Sequence, residues 1–151
     1  SIRVPGSNES MAVELGDGRL MMNSRNQKGD IKARIVSISN DGGTSWDTSY
    51  FDKNLPDPVC QGSIIGVGRK KGKAILAFCN AADTRRRNNL TLRISFEDGK
   101  TWDKNYLIYT SDELKDNAAY SDIVPISHTE VGILYEKDNY SQVVFTTVQW
   151  K

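Results

Sequence analysis

Ser39–Trp46 (SNDGGTSW) and Ser95–Trp102 (SFEDGKTW) follow one template, S-x-D/E-x-G-x-S/T-W, and begin 56 residues apart. In such a turn the acidic side chain accepts hydrogen bonds from backbone N–H groups, and the glycine supplies a positive φ. The tryptophan covers the hairpin beneath. A turn of this kind that recurs after a β-branched strand is typical of the blades of a β-propeller. These two box turns therefore predict architecture, and we do not expect them to contact substrate.

Three hairpins with the same plan account for most of the chain. Alternating apolar and polar residues, glycine-rich turns and many β-branched side chains favour strands over helices. The hairpin strands are predicted at Met11–Leu15 with Leu20–Ser24, Ser63–Val67 with Lys73–Phe78, and Asp122–Ile126 with Val131–Tyr135. A third strand follows each hairpin, at Lys32–Ser39, Leu90–Phe96 and Gln142–Gln149. The pattern predicts an all-β chain.

The length of the chain predicts the number of blades. A propeller blade is a four-stranded antiparallel sheet of about 40 to 50 residues, so 151 residues correspond to about three blades. Propellers generally close with four to eight blades, and three alone leave open edges that can pair with other chains. We therefore expect a partial propeller, which either the remaining blades or another chain would close.

Composition argues against several classes of function. The formal net charge is +1, so no overall field attracts nucleic acid or an acidic membrane. No apolar run approaches the roughly 20 residues that span a bilayer, and no signal peptide is recognisable. His128 is the single histidine, so a Ser-His-Asp triad or a histidine-rich zinc site has little to be built from. We expect no metal and no cofactor.

The two cysteines, Cys60 and Cys79, are too few for a disulfide framework or a four-cysteine metal site. Cross-strand partners in an antiparallel hairpin have residue numbers that add to a constant, and a turn centred on Lys70 places Gln61 opposite Cys79. The two cysteines then lie close together, either as a disulfide in an exported protein or as two buried thiols. A catalytic cysteine would need a neighbouring base, and no histidine is near.

The same arithmetic brings four polar residues to equivalent strand ends. Glu9 is predicted opposite Arg25 in the first hairpin, and Tyr120 opposite Glu136 in the third. If the repeat holds, all four lie on one rim of the propeller, as a site or by coincidence. The bland alternatives are a surface ion pair between Glu9 and Arg25, and a Tyr120 ring that only caps a strand.

A phenol beside a carboxylate is suited to nucleophilic chemistry. Tyrosine has an ordinary pKa of about 10 and is a poor nucleophile unless a base such as Glu9 removes its proton. A neutral nucleophile suits attack on a centre that carries negative charge, and arginines bind a carboxylate in a bidentate way. Arg25 is one such group. Arg85–Arg87 form a second basic group, unless that run is only a solvated loop.

Segments of this chain resemble, in order and spacing, those of the bacterial exo-α-sialidases. The segments are Asn8–Ser10 followed by Val13–Leu20 and Asn23–Arg25, then Arg87–Thr91, Ala119–Asp122 and Leu134–Glu136. The match extends over nearly all of the chain and is more specific than the box turns, which occur in unrelated propellers. The resemblance implies that residues 1–151 are the C-terminal half of a six-bladed sialidase propeller, without its N-terminal blades.

The resemblance also implies a role for each residue of the rim. Tyr120 would be the nucleophile that forms a glycosyl-enzyme with sialic acid, and Glu9 would accept its proton. Arg25 and Arg87 would be two members of an arginine triad that binds the sugar carboxylate, and Glu136 would orient the triad's first arginine. The implied reaction is retaining hydrolysis of terminal α-sialosides on glycans. Because such substrates lie outside cells, a secreted, periplasmic or cell-surface protein is expected.

Two groups of the family pattern are missing. The first arginine and the aspartate general acid belong to the family's N-terminal half. Ile2–Pro5 (IRVP) looks like the motif of that arginine, but it lies only a few residues before Glu9 instead of several blades away, so we read Arg3 as a coincidental match. The isolated chain is therefore expected to be inactive. Arg86 is the substitute for Arg87 if the loop is wound differently.

Two other functions are compatible with the sequence. A non-catalytic propeller that binds glycans or proteins would keep the box turns, but it would have no reason to hold a phenol against a carboxylate. A trans-sialidase, or an intramolecular one that releases an anhydro sugar, would use the same residues with different loops. We take the hydrolytic sialidase as the leading hypothesis.

Overall fold

The described part of the chain, residues 4–151 of a computed structural model, contains eleven β-strands and no helix. The strands are β1 (Ser7–Glu14), β2 (Leu20–Asn26), β3 (Ala33–Ser39), β4 (Thr48–Pro56), β5 (Gly62–Lys70), β6 (Lys73–Ala81), β7 (Leu90–Ser95), β8 (Lys104–Tyr109), β9 (Ala118–Ser127), β10 (Glu130–Lys137) and β11 (Gln142–Gln149). The predicted all-β class is confirmed. Within these residues no helix could cross a membrane. Arg3 lies outside the described residues.

The strands form three antiparallel sheets that follow one another along the chain. The sheet orders are β1-β2-β3-β4, β5-β6-β7-β8 and β9-β10-β11, so the third sheet has three strands within residues 4–151. The first strands of successive sheets contact each other, β1 with β5 and β5 with β9. Strands that meet in this way line the centre of a propeller, with the later strands of each sheet further out. The chain therefore folds as three propeller blades.

Apolar side chains fill the space between neighbouring blades. One cluster joins the first and second blades and includes Leu15, Leu55 and Phe78. A second cluster joins the second and third blades and includes Leu92 and Ile133. Because the strands alternate, each sheet presents apolar residues to its neighbour, although charged residues such as Arg34, Asp52 and Arg93 are also buried within the sheets.

The predicted registers are correct in two hairpins and wrong in the second. Met11 pairs with Asn23 and Ser121 with Tyr135, as the first and third hairpins require. In the second hairpin Ser63, not Gln61, lies opposite Cys79. The reason is a two-residue turn at Lys71 and Gly72, whose φ values are +49° and +79°. This turn alone moves the partner of Cys79 by three residues from the one that we expected, and a register shift between Gly66 and Gly68 takes back one, so Ser63 faces Cys79.

The two cysteines are free and buried. Cys79 lies in the cluster between the second and third blades, and burial raises the pKa of its thiol to about 12. Cys60 lies in the connection between the first two blades, where burial raises its pKa to about 11. Of the two structural alternatives, the structure holds the buried thiols rather than the disulfide. A protonated, inaccessible thiol is a poor nucleophile.

Candidate functional site

The polar residues predicted at strand ends lie together at one end of the sheets. We call this end the tyrosine rim; it comprises Glu9 on β1, Arg25 on β2, Arg87 in the β6–β7 connection, Tyr120 on β9 and Glu136 on β10. The box turns follow β3 and β7 at the opposite end, which we call the box rim. Both rims follow from the antiparallel order of the sheets.

Two irregularities in strand pairing position the carboxylates of the tyrosine rim. The register of β1 against β2 shifts between Ser7 and Ser10, and Glu9 lies within that shift. The register of β10 against β9 shifts between Tyr135 and Lys137, where Glu136 lies. A β-bulge turns a side chain away from the regular alternation of the strand. Each carboxylate is therefore directed toward the rim by local backbone geometry.

Glu9, Arg25 and Tyr120 form a closed triangle of hydrogen bonds. Arg25 Nη1 donates to both carboxylate oxygens of Glu9, at 3.1 and 3.0 Å, and to Tyr120 Oη at 3.2 Å. Tyr120 Oη in turn donates a short hydrogen bond to Glu9 Oε1. The first and third blades are therefore joined at the rim by ionisable groups. The predicted juxtaposition of Glu9 with Arg25 is confirmed, and Tyr120 meets both.

The triangle separates the protonation states of its members. Burial opposes ionisation of Glu9, but the hydrogen bond from Tyr120 and the charge of Arg25 outweigh it and lower the pKa of Glu9. The same hydrogen bond to Glu9, together with burial, raises the pKa of Tyr120, although Arg25 and Arg87 oppose this rise. At neutral pH a phenol therefore faces a carboxylate, which is the starting arrangement for proton transfer from Tyr120 to Glu9.

Arg87 lies over the ring of Tyr120. Its guanidinium carbon is 5.7 Å from the ring centroid, within cation–π distance. Arg87 Nη1 donates to Tyr140 Oη at 3.0 Å, and Nη2 donates to the carbonyl of Val59 at 3.2 Å. Tyr140 Oη donates to Asp116 at 2.7 Å. Arg87 is thus held over the ring of Tyr120 while Arg25 contacts its hydroxyl, so two arginines contact the phenol.

The neighbouring arginines have other partners. Arg86 donates to the backbone carbonyls of Glu113 and Ser111, the latter at 3.0 Å. It therefore fastens the loop after β8 and does not face Tyr120. Between the two residues weighed from the sequence, the structure brings Arg87 to the tyrosine rim.

Glu136 contacts the backbone of the tyrosine. Its Oε2 accepts a hydrogen bond from the N–H of Tyr120 at 3.2 Å. Glu136 and Tyr120 also line a cavity of about 290 Å³ whose walls include Leu134 and Val143. Within residues 4–151 the predicted partner of Glu136, a first arginine, is not found beside it. Glu136 thus lies next to Tyr120, as the register of the third hairpin predicts, and the structure adds the hydrogen bond to the Tyr120 backbone.

Gln61 holds the segment that carries Tyr120, a role that was not predicted from the sequence. Gln61 Oε1 accepts from the N–H of Ser121, and Gln61 Nε2 donates to the carbonyl of Ser121, both at 3.0 Å. The side chain thereby joins the second and third blades by two hydrogen bonds beside Tyr120. Gln61 lies before the middle hairpin in a position equivalent to that of Glu9 in the first hairpin and Tyr120 in the third. This equivalence is the sequence signal that could have identified Gln61.

The short connection from Asp57 to Gln61 contacts three parts of the rim. Asp57 accepts from the N–H of Asn26, next to Arg25, at 3.0 Å. The Val59 carbonyl receives Arg87, and Val59 has φ +65°, which is unusual for a β-branched residue. Strain of this kind persists where surrounding structure enforces it, often near functional sites. This connection had no pattern in the sequence that would have identified it.

No three His, Cys, Asp or Glu side chains within residues 4–151 lie close enough together to hold a metal ion.

Comparison with known proteins agrees with the fold. Residues 2–133 match the family model for the BNR repeat-like domain. A sialidase of Micromonospora viridifaciens is 34% identical over 137 residues, which are 87% of this chain and 20% of that protein. A sialidase of Bacteroides fragilis strain YCH46 is 33% identical over 147 residues, covering 95% of this chain and 26% of that protein.

A solved structure, the Hadza microbial sialidase Hz136, superposes with a TM-score of 0.80 at 30% identity. It covers 95% of this chain, whereas this chain covers 28% of that structure. The chain thus spans less than a third of the length of each of these three relatives. The family model, in contrast, covers most of this chain. The chain therefore belongs to the BNR repeat-like domain family, and it is sialidase-like in sequence and fold.

Proposed function

We propose that this chain is the C-terminal half of a sialidase propeller that hydrolyses terminal α-linked sialic acids on glycoconjugates. The observation that carries the proposal is the hydrogen bond from Tyr120 Oη to the Glu9 carboxylate, made between two blades and flanked by Arg25 and Arg87. A binding protein has no need of a phenol held against a base. The sialidase relatives support the substrate class.

The arginines would bind the negative charge of the sugar. Arg25 uses only Nη1 for its contacts with Glu9 and Tyr120, and its Nε is buried without a partner among residues 4–151. A substrate carboxylate that approaches between Arg25 and Arg87 would bind the remaining guanidinium donors of the two arginines and place the anomeric carbon near Tyr120 Oη. Positioning of this kind lowers the entropic cost of the reaction.

The reaction would proceed in two displacements. Tyr120 Oη attacks the anomeric carbon while Glu9 takes the phenolic proton, and the bond to the leaving oxygen breaks as that oxygen gains a proton from an acid in the other half. Water then attacks the glycosyl-tyrosine and gives a proton to the conjugate base of that acid, while the bond from the sugar to Tyr120 Oη breaks and Tyr120 recovers its own proton from Glu9. Two inversions give net retention. Arg25 and Arg87 favour the phenolate during transfer, since their charges oppose the rise in the pKa of Tyr120.

The proposal includes a second body that closes the propeller. The outer face of the third blade exposes apolar side chains that are between 45% and 67% accessible: Leu134, Val124, Ile126, Phe145 and Val143. An exposed apolar patch of this kind marks an interface. We assign it to the N-terminal half, with a second copy of the chain as the alternative. The same half would supply the general acid, so residues 1–151 alone should turn over substrate poorly, and export is expected from the substrate.

The test compares three forms of the full-length protein on a fluorogenic α-sialoside: the unchanged protein, Tyr120→Phe and the control Tyr50→Phe. Tyr50 is an exposed tyrosine on β4, away from the rim. We expect Tyr120→Phe to lose at least about 10²-fold in kcat while Tyr50→Phe is unchanged. An inert but folded parent would reject the enzymatic proposal in favour of a glycan-binding propeller. Full turnover by residues 1–151 alone would reject the half-propeller assignment.

A further inference from the structure

A polar cavity lies between the first and second blades, outside the tyrosine rim. Its volume is about 320 Å³, and it is lined by Arg93, Lys100, Trp102, Thr101, Asn54 and Asn105. These residues come from β4, β7, β8 and the second box turn. None of them contacts Tyr120, Glu9 or the two arginines of the rim through a hydrogen bond. The cavity is therefore separate from the proposed catalytic centre.

Arg93 is a buried cation with few partners. The residue is 8% exposed, and the only hydrogen bond that its guanidinium donates within residues 4–151 goes from Nη1 to Asn80 Oδ1, at 3.2 Å. No carboxylate oxygen of these residues lies within 4.0 Å of it. A guanidinium has five N–H donors, and a buried charge is costly unless it is paired. Most of the donors of Arg93 therefore have no protein acceptor.

The one acidic side chain near Arg93 is already engaged. Asp52 Oδ2 accepts from Trp102 Nε1 at 3.2 Å, and Asp52 Oδ1 accepts from the N–H of Asn54 at 2.9 Å. Lys100 adds a second positive charge to the cavity and makes no ion pair among the described residues. The described side chains that line the cavity include two cations and no carboxylate, and the neighbouring carboxylates of Asp52 and Asp103 already accept hydrogen bonds from Trp102 and Thr101. The lining of the cavity is therefore positively charged.

We propose that this cavity binds a small oxyanion. The planar donors of Arg93 match a carboxylate, sulfate or phosphate group, and Lys100 adds a charge at the cavity mouth. Asn54, Asn105 and Thr101 offer neutral donors and acceptors of the kind that contact sugar hydroxyls. Two sources share this chemistry, the carboxylate of an acidic sugar and a free inorganic anion. The site is a second binding site on the propeller and does not depend on the proposed reaction.

The test is a titration of the ¹⁵N-labelled chain, observed by NMR. The probes are glucuronate, sulfate and phosphate, with uncharged methyl glucoside as the neutral control. We expect saturable shifts of the Trp102 indole N–H and of the side-chain amides of Asn54 and Asn105. Arg93→Gln should weaken binding at least about tenfold, because it removes charge-assisted hydrogen bonds. The control Lys71→Gln changes an exposed lysine of the second hairpin turn and should bind as the unchanged chain does.

Each outcome decides the proposal. Saturation by glucuronate alone assigns the site to an acidic sugar, and saturation by sulfate or phosphate as well assigns it to inorganic oxyanions. If Arg93→Gln fails to fold, Lys100→Gln replaces it, since Lys100 is exposed and its loss should still weaken binding. Absence of saturable shifts, equal shifts with methyl glucoside, or unchanged binding in the Arg93 and Lys100 variants would overturn the proposal and leave water as the occupant.

Discussion

The two rims of the propeller use charged side chains in opposite ways. On the box rim, Asp41 accepts from the N–H of Ser45 at 2.8 Å and from its hydroxyl at 2.6 Å, so the charge is satisfied within one turn. On the tyrosine rim, Glu9 is satisfied by Arg25 and by Tyr120, which come from a different strand and a different blade. Local satisfaction stabilises a turn, whereas ionisable groups that meet across blades are available to exchange protons and bind charge.

The two turns of the box rim also differ from each other. In the second box turn, Asp98 has φ +58° and is 2% exposed. Its Oδ1 accepts from the N–H groups of Gly16 and Ala74, both at 2.8 Å. Asp98 therefore joins the second blade to the first hairpin, where a side chain at Gly16 would overlap the carbonyl of Gly72. Here an acidic residue of the box rim joins two blades through backbone N–H groups and also pairs with the Lys73 ammonium of its own blade at 3.2 Å.

The largest effect should come from Glu9→Gln in the full-length protein. Glutamine keeps the shape and can still accept a hydrogen bond from Tyr120, but it cannot take the proton. We expect kcat to fall by about 10²–10⁴-fold, the usual contribution of a positioned base. The control is Glu14→Gln, which removes an exposed ion pair with Arg69. Equal losses of kcat in both variants would show that Glu9 acts no differently from an ordinary surface carboxylate.

The same variant has a pH signature that needs no substrate. The folded protein lowers the pKa of Glu9, so between the folded-state pKa and the ordinary pKa the unfolded chain binds more protons than the folded chain. The contribution of Glu9 to stability is therefore present above that pH range and is lost as the pH falls through it. Urea unfolding of residues 1–151 at several pH values should show this loss in the unchanged chain and a smaller one in Glu9→Gln. Identical pH profiles would contradict the lowered pKa.

The second largest effect should be on stability, from Asp98→Ala. The substitution leaves two backbone N–H groups without an acceptor, one of them on the buried Ala74, and removes a carboxylate 3.2 Å from Lys73 Nζ. We expect a loss of about 3 kcal/mol in the free energy of unfolding, measured with urea. Asp98→Asn keeps one acceptor and tolerates a positive φ, so it should lose less. If Asp98→Ala lowers the free energy of unfolding by less than a substitution at an exposed site does, the link between the blades is not needed for stability.

The sequence predicted contacts between residues that are close in the chain better than contacts between distant residues. The box turns, the alternation and two hairpin registers are local patterns, and from them the blades and the meeting of Glu9 with Arg25 were predictable. The wrong second register came from a turn whose two residues both have positive φ and from a register shift between Gly66 and Gly68. The contacts of Gln61 with Ser121 and of Asp98 with Gly16 join residues from different blades. The place of Gln61 before its hairpin could have put it on the rim, but no local pattern specifies the partner in either contact.

A smaller effect on the tyrosine rim should come from Gln61→Ala in the full-length protein. Loss of both hydrogen bonds to Ser121 frees the backbone beside Tyr120, while the arginines that would bind substrate are untouched. We expect kcat to fall about tenfold with little change in KM, since each hydrogen bond contributes about 1 kcal/mol. Gln142→Ala, on the exposed edge of β11, is the matched control. A variant that is less stable but turns over normally would reduce Gln61 to a structural role.

The smallest effects should separate the two box turns, by Asp41→Ala and Glu97→Ala in residues 1–151. Asp41 accepts from Ser39 and Ser45, so its loss should destabilise the chain by about 1 kcal/mol. Glu97 is exposed and makes no side-chain hydrogen bond among the described residues, so its loss should lie within about 0.5 kcal/mol. Glu97→Asp restores the usual acid. If Glu97→Asp stabilises the chain, the second box turn lacks only the hydrogen bond that Asp41 makes within the first. If Glu97→Asp does not stabilise the chain, the hydrogen bonds of Asp98 between blades have replaced that bond.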